Sequence, residues 1–177
     1  MPTSKIRPHR PARPAAPPLP SFEALDHTHR RVMQTLGELA SLLGHLDAQG
    51  MDEVARARAA EICHFFDEAA RSHHMAEEQV VFPSLLTSGD DALVGHVRRL
   101  QQDHGWLEED WLELGPQLHA IADGYNWYDL DVLRHAIPVF TELYRDHIAL
   151  EETIVYPEAR RRQTLQRTAQ KAHKEAR

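Results

Sequence analysis

Apolar residues return every three or four positions through most of the chain, in runs separated by turn residues. Leu25, Val32, Leu36, Leu39 and Leu43 follow Ser21, which predicts an N-capped helix ending near Gln49-Gly50. A second helix is predicted from Met51-Asp52 to Pro83, with Ile62, Phe66, Ala69, Ala70 and Val80 on one stripe. Thr87-Ser88-Gly89-Asp90 then turns the chain. Leu93, Val97, Leu100, Leu107, Trp111 and Leu114 share a face of the third helix, whose end is weakened at Gly115-Pro116, and Asp123-Gly124-Tyr125-Asn126 turns the chain again. The fourth helix, from about Asp129, carries Leu133, Ile137, Phe140, Leu143, Ile154 and Val155. Pro138 lies inside it on the solvent side, where it is expected to kink the helix or mark its real start. No segment alternates as a strand does. The fold class is all-α, and short connections predict an up-and-down four-helix bundle.

Polar residues interrupt this pattern where it should be most apolar. The segment from His73 to Pro83 and the segment from His147 to Pro157 both read H-x-x-x-E-E-x-x-V-[aromatic]-P. At about 100° per residue, a His and the Glu four positions on lie roughly 40° apart on one helix face. His73 with Glu77, and His147 with Glu151, fall in the middle of their apolar stripes, where a carboxylate is costly unless paired or bound to metal. The upstream helices match as well. Leu100-x-x-x-His104-x-x-Leu107 parallels Leu25-x-x-x-His29-x-x-Val32, with 44 residues from His29 to His73 and 43 from His104 to His147. The chain thus reads as an internal two-fold helix-pair repeat. Each half brings a His on one helix, then a His and a Glu on the next.

Six candidate metal ligands result: His29, His73, Glu77, His104, His147 and Glu151. Asp26-His27 resembles Asp103-His104 locally and would nominate His27, but His29 shares the face of Leu25 and Leu36 and is preferred. Glu108, four residues after His104, and Tyr144, about 60° from His147, are further candidates. Glu78 and Glu152 fall off the stripe, suited to solvent or to a hydrogen bond onto a ligand. His64, His74 and His135 also fall off it and are assigned to solvent or to supporting contacts.

Composition narrows the chemistry. The 177 residues suffice for one domain with a substantial core, and 13 histidines are the outlier that needs explaining. The net charge of −7 conceals basic ends: residues 1–20 carry +4, residues 158–177 carry +5, and residues 21–157 carry −16. An acidic centre does not invite nucleic acid. Residues 1–20, with seven of the eleven prolines, are expected to form a disordered Pro/Arg-rich tail, residues 21–160 the bundle, and residues 161–177 a basic C-terminal extension. No apolar run is long enough to span a membrane and no secretory signal is seen, so a cytoplasmic setting is expected. The single cysteine, Cys63, excludes an internal disulfide and any site built from several thiolates. Four imidazoles and two carboxylates suit a transition metal that favours nitrogen and oxygen. Two octahedral ions would be served if Glu77 and Glu151 bridge them. H-E-x-x-H is absent, and the Glu-x-x-His of ferritin-like di-iron bundles occurs once, at Glu61-His64, away from the stripe.

These residues resemble the hemerythrin-like, HHE cation-binding family over about residues 21–160, on the doubled H-x-x-x-E-E motif and the single upstream His of each half. Asp26-x-x-His29 is similar to the D-x-x-H opening of family members and again supports His29. The resemblance implies a four-helix bundle holding two non-haem iron ions, bridged by oxo, hydroxo or carboxylate groups, with Glu77 and Glu151 as bridges. It implies reversible binding of dioxygen or another diatomic such as nitric oxide, in oxygen or nitric oxide handling or sensing, or in iron homeostasis. One departure stands out: the oxygen carriers of the family have H-x-x-x-H on the third helix, and here its second position is Glu108. The alternatives are a di-iron oxidase, peroxidase or nitric oxide reductase, and a metal-buffering or regulatory protein whose tails touch a protein partner. A metal- and oxygen-binding protein is expected ahead of a turnover enzyme.

Overall fold

The computed structural model describes residues 21–175, and among them every regular element is helical, in four continuous runs. Helix α1 is Phe22–Gln49; the Ser21 side chain accepts from the Ala24 N–H at its start, and Gly50 ends it with φ 74°. Helix α2 covers residues 53–86, with the Asp52 side chain capping the Ala55 N–H. Helix α3 is Asp91–Asp123, capped by Asp90 and closed by Gly124 at φ 79°. Helix α4 covers residues 130–175 behind the cap Asp129. A side chain at Gly50 or Gly124 would clash with its own backbone at that φ, so glycine stops both helices. Gly115-Pro116 does not end α3, nor does Pro138 start α4. Both prolines are exposed within continuing helices, where water can take the hydrogen bond they forgo. The expected tail at residues 1–20 lies outside the described residues.

Three π-helical turns interrupt the α geometry: Phe65–Ala70 and Glu77–Val81 in α2, and Glu151–Val155 in α4. A π turn bonds i to i+5 and holds one residue more than an α turn. Every position beyond it therefore slips by one against a 100° wheel. This corrects the expected stripe. Ala69 is exposed, Val80 is only half-buried and Ile154 is 39% exposed, while Ala70 and Val155 are buried as expected and Val81, left off the stripe, is buried too. Val155→Ala is expected to cost about 2 kcal/mol in chemical denaturation, against about 0.5 kcal/mol or less for Ile154→Ala. Equal costs would contradict the slip.

Helix α1 packs on α2 and α4, and α3 packs on the same two. The buried apolar residues form two clusters. One gathers Leu36, Leu39, Ile62, Phe66, Leu114, Phe140 and Tyr144. The other gathers Leu25, Phe82, Leu85, Val97, Leu100, Val155 and Tyr156. On each helix the buried His and Glu residues lie in sequence where one cluster gives way to the other: His29 between Leu25 and Val32, His73 and Glu77 between Ala70 and Val81, His104 between Leu100 and Leu107, His147 and Glu151 between Tyr144 and Val155. Cys63 is buried in the first cluster, and burial pushes its thiol up to about 12, so it stays neutral. Among the described residues no helix is long and apolar enough to cross a membrane.

Candidate metal centre

All six sequence candidates are buried, and both carboxylates, Glu77 and Glu151, have no accessible surface. Their donor atoms form two groups, His29–His73–Glu77–Glu151 and Glu77–His104–His147–Glu151, each with all four donors within 4.8 Å of one another. Glu77 and Glu151 belong to both groups. The contacts also cross between helices in matching pairs. Glu77 lies 3.4 Å from His73 Nε2 on its own helix and 3.4 Å from His104 Nε2 on α3. Glu151 lies 3.3 Å from His147 Nε2 on its own helix and 3.1 Å from His29 Nε2 on α1.

The carboxylates that follow in each motif hold the outer imidazoles in place. His29 Nδ1 is 3.1 Å from Glu152 Oε1, and His104 Nδ1 is 3.1 Å from Glu78 Oε1, whose other oxygen accepts from Gln101. With Nδ1–H donated outward, each ring presents its Nε2 lone pair to the interior, the arrangement that orients metal-bound histidines. Asp103, buried beside His104, brings Oδ2 to 3.8 Å from His147 Nδ1.

Electrostatics prepare the layer for a cation. Burial, reinforced by the neighbouring His29, depresses His73 to about 3, and burial with His147 depresses His104 to about 4, so both are neutral donors. Burial opposes a charge on His147 too, but Glu151 and Asp103 outweigh it and raise it to about 9. The two carboxylates diverge, as two acids confined together must. Burial and the charge of Glu151 hold Glu77 well above the usual range, whereas for Glu151 the charge of His147 overcomes burial and keeps it ionised. Buried polar atoms normally find a partner. Here Glu77 Oε2, both Glu151 oxygens, His104 Nε2 and His147 Nε2 have none at hydrogen-bond geometry among the described residues. Unpartnered polar atoms from several helices facing one layer fit a metal cation, and imidazole with carboxylate suits a transition metal that favours nitrogen and oxygen.

The structure adds residues that sequence reasoning missed. Tyr156 donates its hydroxyl to Glu77 Oε1, lies 3.2 Å from His29 Nε2 and stacks on that ring. His74, assigned above to solvent or a supporting contact, is buried, with its ring stacked 4.1 Å from that of His104. Both corrections share a cause. One π turn precedes the α2 motif, and each motif contains another, so the buried face there is rotated from the α wheel. The aromatic position of the repeated motif was the visible signal for Tyr156. The remaining candidates go the other way: His27 and Glu108 are exposed. Tyr144 packs beside His74 and His147 with ring centroids at 5.8 and 6.5 Å. A cavity of about 380 Å³ opens over this side, lined by Phe66, Leu107, Trp111, Phe140 and Tyr144 and reaching His74.

Residues 21–159 match the family model described as the hemerythrin HHE cation binding domain. An uncharacterized protein of Haemophilus influenzae is 29% identical over 132 residues, covering 75% of this chain and 74% of that one. No solved structure matches the chain.

Proposed function

The chain belongs to the hemerythrin HHE cation-binding domain family, and we propose that it holds two iron ions and binds dioxygen or another diatomic such as nitric oxide. The observation that carries this is the pair of buried donor groups sharing Glu77 and Glu151. His29 and His73 would hold one ion, His104 and His147 the other, and the two carboxylates both. The crossed contacts and the order in which each helix meets the two apolar clusters support an up-and-down bundle with a two-fold helix-pair repeat over residues 21–160. Basic residues continue beyond it to residue 177.

Bound iron would supply electrons and an open coordination position for the diatomic. The protein does the rest. Glu78 and Glu152 orient imidazoles, the two apolar clusters exclude bulk water, and the Tyr156 hydroxyl holds a proton against Glu77 Oε1. Anaerobic titration of the full chain with ferrous iron should saturate at two ions, and admitting air should then produce a visible absorption band. Uptake of fewer than two ions, or no colour, would sink the proposal. The lone buried thiol suits a reducing cytoplasm.

Metal loading should also release protons. His147, raised to about 9, holds a proton at pH 7 in the metal-free chain, and the cation must displace it; the raised Glu77 adds to the release in the same direction. Affinity is therefore expected to rise with pH through about 9, where His147 is half deprotonated, and its His147 dependence to level off above that. Proton counting during titration in weak buffer reads this directly; no release at pH 7 would contradict it.

The cavity favours a second class, a di-iron oxidase or peroxidase, because about 380 Å³ exceeds what a diatomic needs. Product accumulating beyond one equivalent per site with reductant supplied would select that class.

A further inference from the structure

We infer that His74 is a seventh metal ligand, giving one of the two positions a third imidazole and making the pair chemically unequal. This rests on the two-position reading above. A nitrogen of His74 lies within 4.8 Å of nitrogens of both His104 and His147, so the three form a donor group of their own. Its Nε2 is buried and has no hydrogen-bond partner among the described residues, although the side chain comes from a helix with open solvent on its other face. A neutral imidazole buried in that way loses hydration without compensation unless something accepts its lone pair or takes its proton.

Comparison of the two motif copies sharpens the point. Where α2 has His73-His74, α4 has His147-Ile148, and Ile148 is buried in the first apolar cluster. The aromatic position differs in the opposite sense. Phe82 stacks on His104, whereas its counterpart Tyr156 stacks on His29 and turns a hydroxyl toward Glu77. The His104–His147 position therefore gains a nitrogen and has a phenylalanine ring on His104 where the other has a tyrosine on His29. The His29–His73 position gains a phenol and has isoleucine where the other has histidine. Because His74 also lines the cavity, the imidazole-rich position is the one nearer to that opening.

The test is anaerobic ferrous titration of the full chain against a competing chelator, with X-ray absorption to count imidazoles per iron. Wild type should bind two ions with five imidazoles between them. His74→Leu should keep one affinity and weaken the other ~10–100-fold, with the imidazole count falling to four. Circular dichroism checks that the variant folds. Should it not, His74→Gln keeps a polar group of similar length but offers no imidazole, and the same losses are expected. If the folded variant binds both ions as wild type does, with an unchanged imidazole count, His74 is not a ligand and the two-ion proposal stands. If wild type itself binds fewer than two ions, both fall together.

Discussion

Glu77→Ala should lose both metal ions, whereas His29→Ala and His104→Ala should each weaken chiefly one. The distinction follows from membership. Glu77 and Glu151 offer oxygens to both donor groups, but His29 belongs to one and His104 to the other. Removing groups that only support a ligand typically costs ~10–100-fold in metal affinity, so loss of a shared ligand should cost about 100-fold or more at each position. Isothermal titration, with bound metal counted by mass spectrometry, separates these cases. If Glu77→Ala retained one tightly bound ion, Glu77 would not be a shared ligand, and the crossed contacts of 3.4 Å to His73 and His104 would be structural only.

The double variant His147→Leu with Glu151→Met should be more stable than wild type when both are stripped of metal. In the metal-free chain these side chains form an ion pair at 3.3 Å, 1% and 0% exposed, with two carboxylate oxygens left unbonded. Replacing a buried ion pair by apolar residues of similar volume is commonly neutral or stabilising by ~1–4 kcal/mol. Breaking it from one side alone costs ~3–5 kcal/mol, so Glu151→Ala should destabilise. Denaturation with chelator present measures both. A double variant less stable than metal-free wild type would mean that the pair itself holds the helices together. The expected sign says that the polar layer is kept for binding, at some cost to the stability of the empty fold.

Both expectations depend on residues that were legible in the chain. Six histidines and glutamates stood inside apolar stripes at helical spacing, and a buried carboxylate without a partner is too unfavourable to be accidental. Helix ends were equally plain, because Ser21, Asp52 and Asp129 cap by local hydrogen bonds and Gly50 and Gly124 stop by local φ. The hydrogen bonds accepted by Glu78 and Glu152 were also within reach, since each adjoins a ligand candidate. Which imidazole each would orient was not. Glu78 reaches α3 and Glu152 reaches α1, across the packed interior.

The π turns were the main thing hidden. No residue type in Glu77–Val81 or Glu151–Val155 announces an i to i+5 bond, and an α wheel carried through them misplaces everything beyond by one position. The slip in α2 puts Val81 in the place expected for Val80, and the one in α4 leaves Val155 buried without Ile154 and brings Tyr156 onto His29.

By itself, then, the amino-acid pattern determined the helical class, the helix boundaries marked by Ser21, Gly50, Asp52, Gly124 and Asp129, and the six inward-facing histidines and glutamates, because each of these follows from interactions within a few turns of chain. Tertiary structure alone decided which imidazoles Glu77 and Glu151 reach across the interior, that His74 and Tyr156 are buried beside them, and that His27 and Glu108 are exposed. Those outcomes depend on how far each helix is rotated when it packs against its neighbours, and a π turn changes that rotation without leaving a mark in the local sequence.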